Sequence, residues 1–473
     1  MGFGSWGIRP LWTWNVVCPV FSLVADWVAN QFSGAELGDK RRTKRLMKVA
    51  HALTLAPGAS LAQALPKWPD LKGAYRLFDT PEVTHEAILS PHCHNTRHLI
   101  NTQPGHYLLI QDWTQLDFTN RDAENLGQIG NENGRGILAH TTLAVRLDTD
   151  PASLETPVRA APLGILSQVL WTRPPKPKAK KEESWRQRLK RPRESEYWGQ
   201  ALQDLAPPAP GIRRTYVADR ESDLSGFWDG SRLAKDTDFN IRIFRQRRLE
   251  NQRLLSEELE AAEVLGGMWV DVRGRTGQQA RRARLEIRST QVSLKGSRGP
   301  VWVVEAREIA PPPKAQAIHW KLVTSWPAGT LAEAVAVIRT YTLRWIIEEL
   351  HKAWKSGAGV ERARLRDGER LAPLAGVLVL VALRLLMGKI EGEEGVIVPE
   401  WEEPELETVL ERHFGRPKAG WTQREKVRAI ARLGGFLARK GDGEPGWQTI
   451  WRGWMRLMDM LTGFEIAQFP RSG

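Results

Sequence analysis

The stretch Tyr341-Thr-Leu-Arg344-Trp-Ile-Ile-Glu348-Glu-Leu-His-Lys352-Ala-Trp-Lys355 does most to decide the fold. Its pattern predicts a helix within a longer helical region over Leu331 to Lys355. One helix face would carry a carboxylate beside three cations, although the solvated face of an ordinary amphipathic helix gives the same pattern. At about 100° per residue, the side chains within an arc of roughly 80° are those of Tyr341, Arg344, Glu348, Lys352 and Lys355.

Two aspartates upstream each follow a short apolar run that is typical of a strand. The run from His106 to Gln111 precedes Asp112, and the run from Thr215 to Ala218 precedes Asp219. A side chain at the end of a strand projects beyond the sheet edge, where ligands tend to bind. Helix caps and turns also use aspartate at such positions, so either residue alone is weak support for a site.

Three carboxylates of this kind suit the chemistry of DNA phosphodiesters. Cutting or joining such a bond requires in-line attack, neutralisation of developing charge and activation of the attacking oxygen. Two Mg²⁺ ions about 4 Å apart supply all three, and hard oxygen ligands hold them. We therefore expect Asp112, Asp219 and Glu348 to share one metal site, with the three cations of the helix face binding the flanking phosphates.

The charge balance indicates a polyanionic partner. Across 473 residues there are 68 Lys and Arg against 55 Asp and Glu, which gives a net charge of +13 and a pI near 9.8. Nucleic acid and anionic membrane are the two partners that such a charge attracts. The length also predicts about two to four domains.

Cysteine usage and the apolar runs predict a cytoplasmic protein without a membrane partner. Cys18 and Cys93 are too few for a disulfide framework. The run from Pro10 to Val28 is broken by polar residues and lacks the basic start of a signal peptide. The run from Leu371 to Met387 is shorter than the ~20 residues that a membrane span needs, so we expect a buried helix there.

A basic helix is predicted near the N-terminus, after a first helix over Ala25 to Phe32. It would begin at Asp39 as N-cap and end at Leu53, with Leu46 and Val49 facing inward. Six basic residues in nine positions suggest a helix laid along a phosphate backbone, although a solvated charged face would look the same. These residues are Lys40, Arg41, Arg42, Lys44, Arg45 and Lys48.

The chain between these segments is mostly β in pattern. Gly127 to Gly136 is predicted to form a hairpin turn, and strands are expected over Ile137 to Leu147 and Ala160 to Trp171. A β-rich block follows, with strands at Ile241 to Phe244, Trp269 to Val272, Ala283 to Ile287, Val301 to Ala306 and Lys321 to Thr324. Because a long helical region and a helical C-terminus come next, the order predicts a mixed α/β fold with an insertion.

Six motifs resemble those of one known family. The helix has the spacing Tyr-(2)-Arg-(3)-Glu-(6)-Lys, and the aspartates lie in Ile-Gln-Asp-Trp-Thr (110–114) and Ala-Asp-Arg-Glu-Ser-Asp (218–223). The others are Leu-Gly-Asp-Lys-Arg-Arg-Thr-Lys-Arg-Leu (37–46), Gly-Ala-Tyr-Arg (73–76) and Ile-Ala-Arg-Leu-Gly-Gly-Phe (430–436). Together they resemble the insertion-sequence-four group of bacterial DDE transposases, which includes the transposase of transposon five. The likeness runs collinearly from about Ala25 to the C-terminus, and Trp113 departs from it, since a small residue is more usual there.

The resemblance implies a ribonuclease-H-like mixed sheet core interrupted by a β-rich insertion, with helical regions at both ends. The helical DNA-end-binding domain would cover 21–90, and residues 1–20 would be an unassigned extension. The catalytic core would cover 91–238 and, with the Glu-bearing helix, 326–370. The β-rich insertion would cover 239–325, and a helical dimerisation domain would cover 371–473.

The resemblance also assigns roles to single residues. Asp112, Asp219 and Glu348 would be the catalytic residues and the ligands of two Mg²⁺ ions, for which Mn²⁺ would substitute. Trp320 lies where family members stack a base that is flipped out of the cleaved strand. The remaining implied DNA contacts are Arg242 and Arg245 at the hairpin, the basic-helix residues Lys40, Arg41, Arg42, Lys44 and Arg45, and Tyr341, Arg344, Lys352 and Lys355.

The function implied by the resemblance is cut-and-paste transposition in a bacterial cytoplasm, in association with the nucleoid. A homodimer would bind double-stranded DNA, namely the inverted-repeat ends and the target, and would cleave the ends through a hairpin. Two alternatives stay open from the residues: a catalytically silent DNA-binding inhibitor, and a domesticated DDE nuclease that cuts without joining. A glycosidase is disfavoured because the positive charge and the cations near Glu348 would have no role there.

Overall fold

The computed structural model describes residues 20–130, 133–173, 194–203, 205–272, 280–313, 315–393, 404–417, 420–439 and 442–468. The extension predicted for residues 1–20 lies outside these ranges except for its last residue. The described chain forms an N-terminal group of helices, a large mixed sheet and a C-terminal group of helices, which is consistent with a ribonuclease-H-like core.

The N-terminal region is helical, as predicted. Asp39 caps the basic helix by accepting a hydrogen bond from the Arg41 backbone N–H at 2.7 Å. Leu46 and Val49 are buried on its inner face, which confirms the predicted orientation. The helices are α1 (Val20–Phe32), α2 (Lys40–Leu55), α3 (Leu61–Ala64), α4 (Trp68–Phe78) and α5 (His85–Thr102).

Six strands form the core sheet. They are β1 (Gly105–Asp117), β2 (Gly127–Ile129), β3 (Gly134–Leu147), β4 (Ala160–Trp171), β5 (Ile212–Ala218) and β6 (Thr237–Ile243), with α6 (Gln200–Gln203) and α7 (Ser225–Trp228) between them. Strand β1 is antiparallel to β3, which also pairs with β2 and β4. On its other side β1 is parallel to β5, and β5 is parallel to β6. The β2–β3 pairing confirms the predicted hairpin.

The insertion continues the same sheet. It contains α8 (Leu255–Ala261), which the sequence pattern did not predict, and the strands β7 (Val264–Val272), β8 (Arg281–Val292), β9 (Val301–Glu308) and β10 (His319–Thr324). Strand β10 pairs antiparallel with β6, and β9, β8 and β7 follow outward in that order. Strand β6 crosses the predicted boundary at 238/239, so the core strand and the start of the insertion share one element.

The region over Leu331 to Lys355 is helical, as predicted, but its stretch from Tyr341 to Lys355 is not the one continuous helix that the pattern predicted. Helix α9 (Leu331–Thr342) is followed by a break, then by α10 (Trp345–Lys352) and one π-helical turn (Ala353–Gly357). At the break, the Arg344 N–H donates to the Tyr341 carbonyl at 3.0 Å, a tighter turn than an α-helix makes. The arc computed for a regular helix therefore does not hold over the whole stretch.

The C-terminal helices pack around a long apolar one. They are α11 (Gly368–Glu393), α12 (Pro404–Phe414), α13 (Gln423–Leu433) and α14 (Trp447–Gln468). By length and composition Gly368–Ile390 could cross a membrane, but 78% of its most apolar window is buried inside the protein. This is how the core helix of a soluble protein behaves, as predicted for Leu371 to Met387. Helix α11 also crosses the predicted boundary at 370/371.

Candidate active site

The parallel pairing of β1 and β5 brings two aspartates to the same edge of the sheet. The register ends with Ile110 opposite Val217. Asp112 and Asp219 each come two residues later, so continuing the register places them side by side. Asp219 directly follows β5, as predicted, and its side chain accepts a hydrogen bond from the Glu221 backbone N–H at 2.9 Å.

The prediction that β1 ends before Asp112 was wrong. Strand β1 continues to Asp117, because β3 pairs with it beyond the end of β5 and places Thr141 opposite Asp112. The aspartate thus lies within one strand but beyond the end of its parallel neighbour. Pairing with β3 holds its backbone in the sheet, and its side chain is largely buried, 16% exposed.

Glu348 reaches the same place from the first turn of α10, and one arginine joins it to Asp112. The Arg344 guanidinium donates to Asp112 Oδ2 at 3.0 Å and to Glu348 Oε1. Asp219 and Glu348 both lie near enough to act electrostatically on Asp112. The fold therefore gathers the three carboxylates that the sequence singled out, with Arg344 between two of them.

The electrostatics of this cluster favour a cation. Burial raises the pKa of Asp112 to about 7; Arg344 opposes the rise, while the negative charges of Asp219 and Glu348 add to it. Burial alone would lower the pKa of Arg344, but Tyr341, Asp112 and Glu348 raise it instead. The negative charge of this buried carboxylate is poorly compensated. A bound divalent metal ion would stabilise that charged form.

The three carboxylates offer the oxygen ligands that such an ion takes. Among the residues that the structure describes, no three His, Cys, Asp or Glu side chains are already spaced to hold a metal ion. Arg344 donates hydrogen bonds to two of the three carboxylates, those of Asp112 and Glu348. Three carboxylates at one sheet edge are nonetheless the hard oxygen ligands that Mg²⁺ and Mn²⁺ prefer.

A hydrogen bond that the sequence did not reveal links the two aspartate segments. The Trp113 indole N–H donates to the Glu221 carboxylate, across 108 positions of the chain. The Trp113 backbone N–H donates to Asp112 Oδ1 at 2.9 Å. Trp113, which departs from the family pattern, therefore ties the end of β5 to β1.

Trp320 and Tyr341 form one aromatic contact beside this cluster. Their rings pack edge to face with centroids 5.5 Å apart, and Arg242 donates a hydrogen bond to the Tyr341 hydroxyl. Tyr341 is only 5% exposed, whereas Trp320 is half-buried. Arg245 is exposed, and its backbone N–H donates to Asp223 Oδ2 at 3.3 Å.

The two lysines that follow Glu348 differ in their surroundings. Lys352 is exposed. Lys355 lies in the π-helical turn, 3.8 Å from Glu361, and burial lowers its pKa while Glu361 and Asp117 raise it. The structure therefore leaves Lys352 accessible to a phosphate and gives Lys355 a carboxylate partner.

The cations of the predicted basic helix fall into two groups, which differ in whether a carboxylate pairs with them. Arg42 pairs with Glu82 at 3.2 Å, and Lys48 pairs with Asp70 at 2.7 Å. The guanidinium of Arg45 packs on the backbone of Gly73. A Cβ at position 73 would lie only 1.6 Å from Arg45 Nη1. Within the described chain, no ion pair is formed by Lys40, Arg41, Lys44 or Arg45, which are all exposed.

Three protein-family models match the chain in sequence order. Residues 24–83 match the model for transposase DNA-binding, 190–383 match the transposase DDE domain, and 384–472 match the transposase Tn5 dimerisation domain. The DDE match includes Asp219 and Glu348 and begins after Asp112. The chain is therefore a DDE-type transposase, an enzyme class that depends on divalent metal ions. It belongs to the Tn5-type, insertion-sequence-four family, binds DNA and forms dimers.

Proposed function

We propose that this transposase moves its own element by a cut-and-paste route. It would bind the inverted-repeat ends, cleave them through a hairpin intermediate and join the 3′ ends to target DNA. The observation that carries the proposal is the convergence of Asp112, Asp219 and Glu348 at one sheet edge, in a chain with DNA-binding and dimerisation regions. The protein would act in the bacterial cytoplasm, associated with the nucleoid.

Asp112, Asp219 and Glu348 would be the catalytic residues and would hold two Mg²⁺ ions, with Mn²⁺ as a substitute. When bound, two such ions activate the attacking oxygen and neutralise the charge that develops on the phosphate. Arg344 keeps the carboxylates of Asp112 and Glu348 at the site. Lys352, which is exposed, would bind a flanking phosphate, and Lys355 would do so by leaving Glu361.

In each step an oxygen nucleophile, either water or a 3′-hydroxyl, attacks a phosphodiester and displaces one of its two ester oxygens. Water attacks the first strand and leaves a 3′-hydroxyl and a 5′-phosphate. That hydroxyl attacks the opposite strand, which forms the hairpin and releases the flanking DNA. Water then opens the hairpin and restores the 3′-hydroxyl, which attacks the target and displaces a target 3′-hydroxyl. In the proposed dimer, each protomer binds one end and cleaves the end bound by its partner.

We propose the same division along the chain as the sequence predicted. Residues 21–90 would bind the ends, 91–238 and 326–370 would form the catalytic core, and 371–473 would dimerise. Residues 239–325 would form the insertion that contacts the hairpin, with Arg242, Arg245, Trp320 and Tyr341 near the flipped base. Arg242 would hold the Tyr341 hydroxyl rather than reach DNA by itself.

A plasmid excision assay tests the proposal against its two alternatives. The substrate carries paired copies of the inverted repeats that bracket the gene, and the products are followed in Mg²⁺. Excision followed by insertion into a second plasmid supports the proposal. End binding without cleavage would indicate a DNA-binding inhibitor, and cleavage without joining would indicate a nuclease.

Replacing Trp320 with alanine is expected to slow hairpin formation more than the first nick. Stacking of one base is worth about 1–3 kcal/mol, so the expected loss is roughly 5- to 150-fold in the hairpin step. The rates of the two steps are measured on end-labelled DNA. Trp269→Ala is the matched control, because Trp269 is an exposed tryptophan of the same sheet. Equal loss of both steps in Trp320→Ala would count against base stacking.

The exposed cations of α2 are expected to bind backbone phosphate. The double variant Lys40→Gln, Arg41→Gln should weaken end binding and lower the dependence of log affinity on log salt by about 2, because each phosphate contact contributes about 0.9. Lys48→Gln is the control, since that amine already pairs with Asp70. Gel shifts across a salt series measure both slopes, and an unchanged slope in the double variant would contradict the assignment.

A further inference from the structure

The residue next to Glu348 connects the active-site helix to the dimerisation region. Glu349 is buried and accepts three hydrogen bonds from side chains. Lys389 Nζ donates at 2.8 Å, Trp447 Nε1 at 2.6 Å and Trp345 Nε1 at 3.1 Å. Lys389 belongs to α11 and Trp447 begins α14, so two of the three partners lie in the region matched by the dimerisation model.

Helix α14 touches the same segment at a second point. A Cβ on Gly357 would lie 2.1–2.2 Å from atoms of the Trp451 indole, so the ring packs directly on that backbone. Gly357 ends the π-helical turn after α10. The first two turns of α14 therefore hold the active-site segment at its middle, through Glu349, and at its end, through Gly357.

These contacts fix the rotation of α10. Consecutive residues of an α-helix point about 100° apart, so a fixed Glu349 also fixes the direction of Glu348. A buried ion pair contributes little net stability compared with apolar packing, but it requires one defined geometry. The two indole donors restrict that geometry further, because each is directional.

We propose that Glu349, Lys389 and Trp447 act as positioning residues that aim Glu348 at the metal site. The dimerisation region would thus shape the active site of its own protomer as well as hold the partner. The inference rests on the proposed role of Glu348 as a metal ligand. It assigns no chemical step to the three residues, which are all buried.

The test is Trp447→Phe, which removes the indole N–H and keeps an aromatic ring beside Lys389. The apparent Kd for Mn²⁺ of the DNA-bound protein is measured by electron paramagnetic resonance. It is expected to rise by about 10-fold, as for other residues that orient a metal ligand, and the first-nick rate should fall similarly. End binding and the dimer fraction should be unchanged.

A matched pair of variants separates positioning from stability. Glu349→Gln and Glu308→Gln each neutralise a buried carboxylate in an ion pair; Glu308 pairs with Arg281 at 2.6 Å in the insertion. Both should lower the melting temperature, but only Glu349→Gln should weaken Mn²⁺ binding. If Glu349→Gln does not fold, Trp447→Phe decides alone. Unchanged Mn²⁺ affinity in the folded variants overturns the inference.

The same titration on Glu348→Ala keeps the two proposals distinguishable. Loss of Mn²⁺ affinity in Glu348→Ala, together with normal affinity in Trp447→Phe, overturns the positioning role and leaves the metal ligand in place. Normal affinity in Glu348→Ala overturns the metal-ligand role and the positioning role with it. Loss in both variants supports both.

Discussion

Replacing Glu348 with alanine is expected to abolish cleavage of transposon ends in Mg²⁺ while end binding in a gel shift persists. Glu348 reaches the site from α10 and is joined to Asp112 through Arg344, so its removal takes away one of the three proposed ligands without opening the core. Substituting a residue that merely supports a metal ligand lowers metal affinity or activity by about 10- to 100-fold. For the ligand itself we expect a loss of at least about 1000-fold in the first-nick rate.

Glu258→Ala is the matched control for this substitution. Glu258 also lies in the first turn of a short helix, and it pairs with Arg253 at 3.0 Å. Its removal should leave the nick rate unchanged, since α8 is part of the insertion and not of the carboxylate cluster. Retained cleavage by Glu348→Ala would refute the assignment of Glu348, and loss of end binding would show that the variant had changed more than the metal site.

The parts of the site that follow local rules could be predicted from the sequence. Asp39 stands where an N-cap is needed, and Asp219 follows a short apolar strand, so both placements depend only on neighbouring residues. Arg344 and Glu348 also lie side by side, as predicted. They are four residues apart, about one helical turn, and the helix break comes before this turn. Local spacing was sufficient for these residues.

The parts that depend on distant partners could not be predicted. Strand β1 continues past Asp112 because β3 pairs with it, and no local pattern reveals how far that pairing extends. The Trp113–Glu221 hydrogen bond spans 108 positions and the Trp447–Glu349 bond spans 98. No local pattern distinguishes Glu349, since a buried carboxylate is recognised only once its partners are known.

The helix break shows how tertiary contacts override periodicity. The stretch from Tyr341 to Lys355 has the composition of a continuous helix, yet it turns more tightly at Leu343 and Arg344 and more loosely after Lys352. The break lets Tyr341 pack against Trp320 while Arg344 reaches Asp112. Two contacts with different strands thus decide where the helix changes direction.

Asp112→Asn is expected to abolish cleavage and, without divalent metal, to stabilise the protein at neutral and alkaline pH. Burial raises the folded-state pKa of Asp112 to about 7 from its ordinary value of 3.8, so the folded chain holds this proton more tightly than the unfolded chain does. The stability that the protonated group contributes is complete below pH 3.8 and is lost as pH rises through 7. Asparagine cannot ionise and avoids this loss.

Thermal melts in EDTA across this pH range measure the effect. One pKa unit corresponds to about 1.4 kcal/mol, and a chain of 473 residues unfolds with an entropy of roughly 1 kcal/mol per degree. The two melting temperatures should therefore differ by about 1 to 4 °C at pH 8. The separation should close toward pH 4. Adding Mg²⁺ at pH 8 should stabilise the wild-type chain and have little effect on the variant, since only the wild type keeps all three carboxylates.

The control is Asp148→Asn, which removes a carboxylate that pairs with Arg146 near the end of β3. In a chain of net charge +13, losing one negative charge adds general repulsion, and this variant measures that effect alone. A pH-independent difference between Asp112→Asn and the wild type would mean that packing, not ionisation, decides its stability. A lower melting temperature for Asp112→Asn at pH 8 would mean that Arg344 compensates the buried carboxylate fully, and the site would then have no excess charge for a metal ion to relieve.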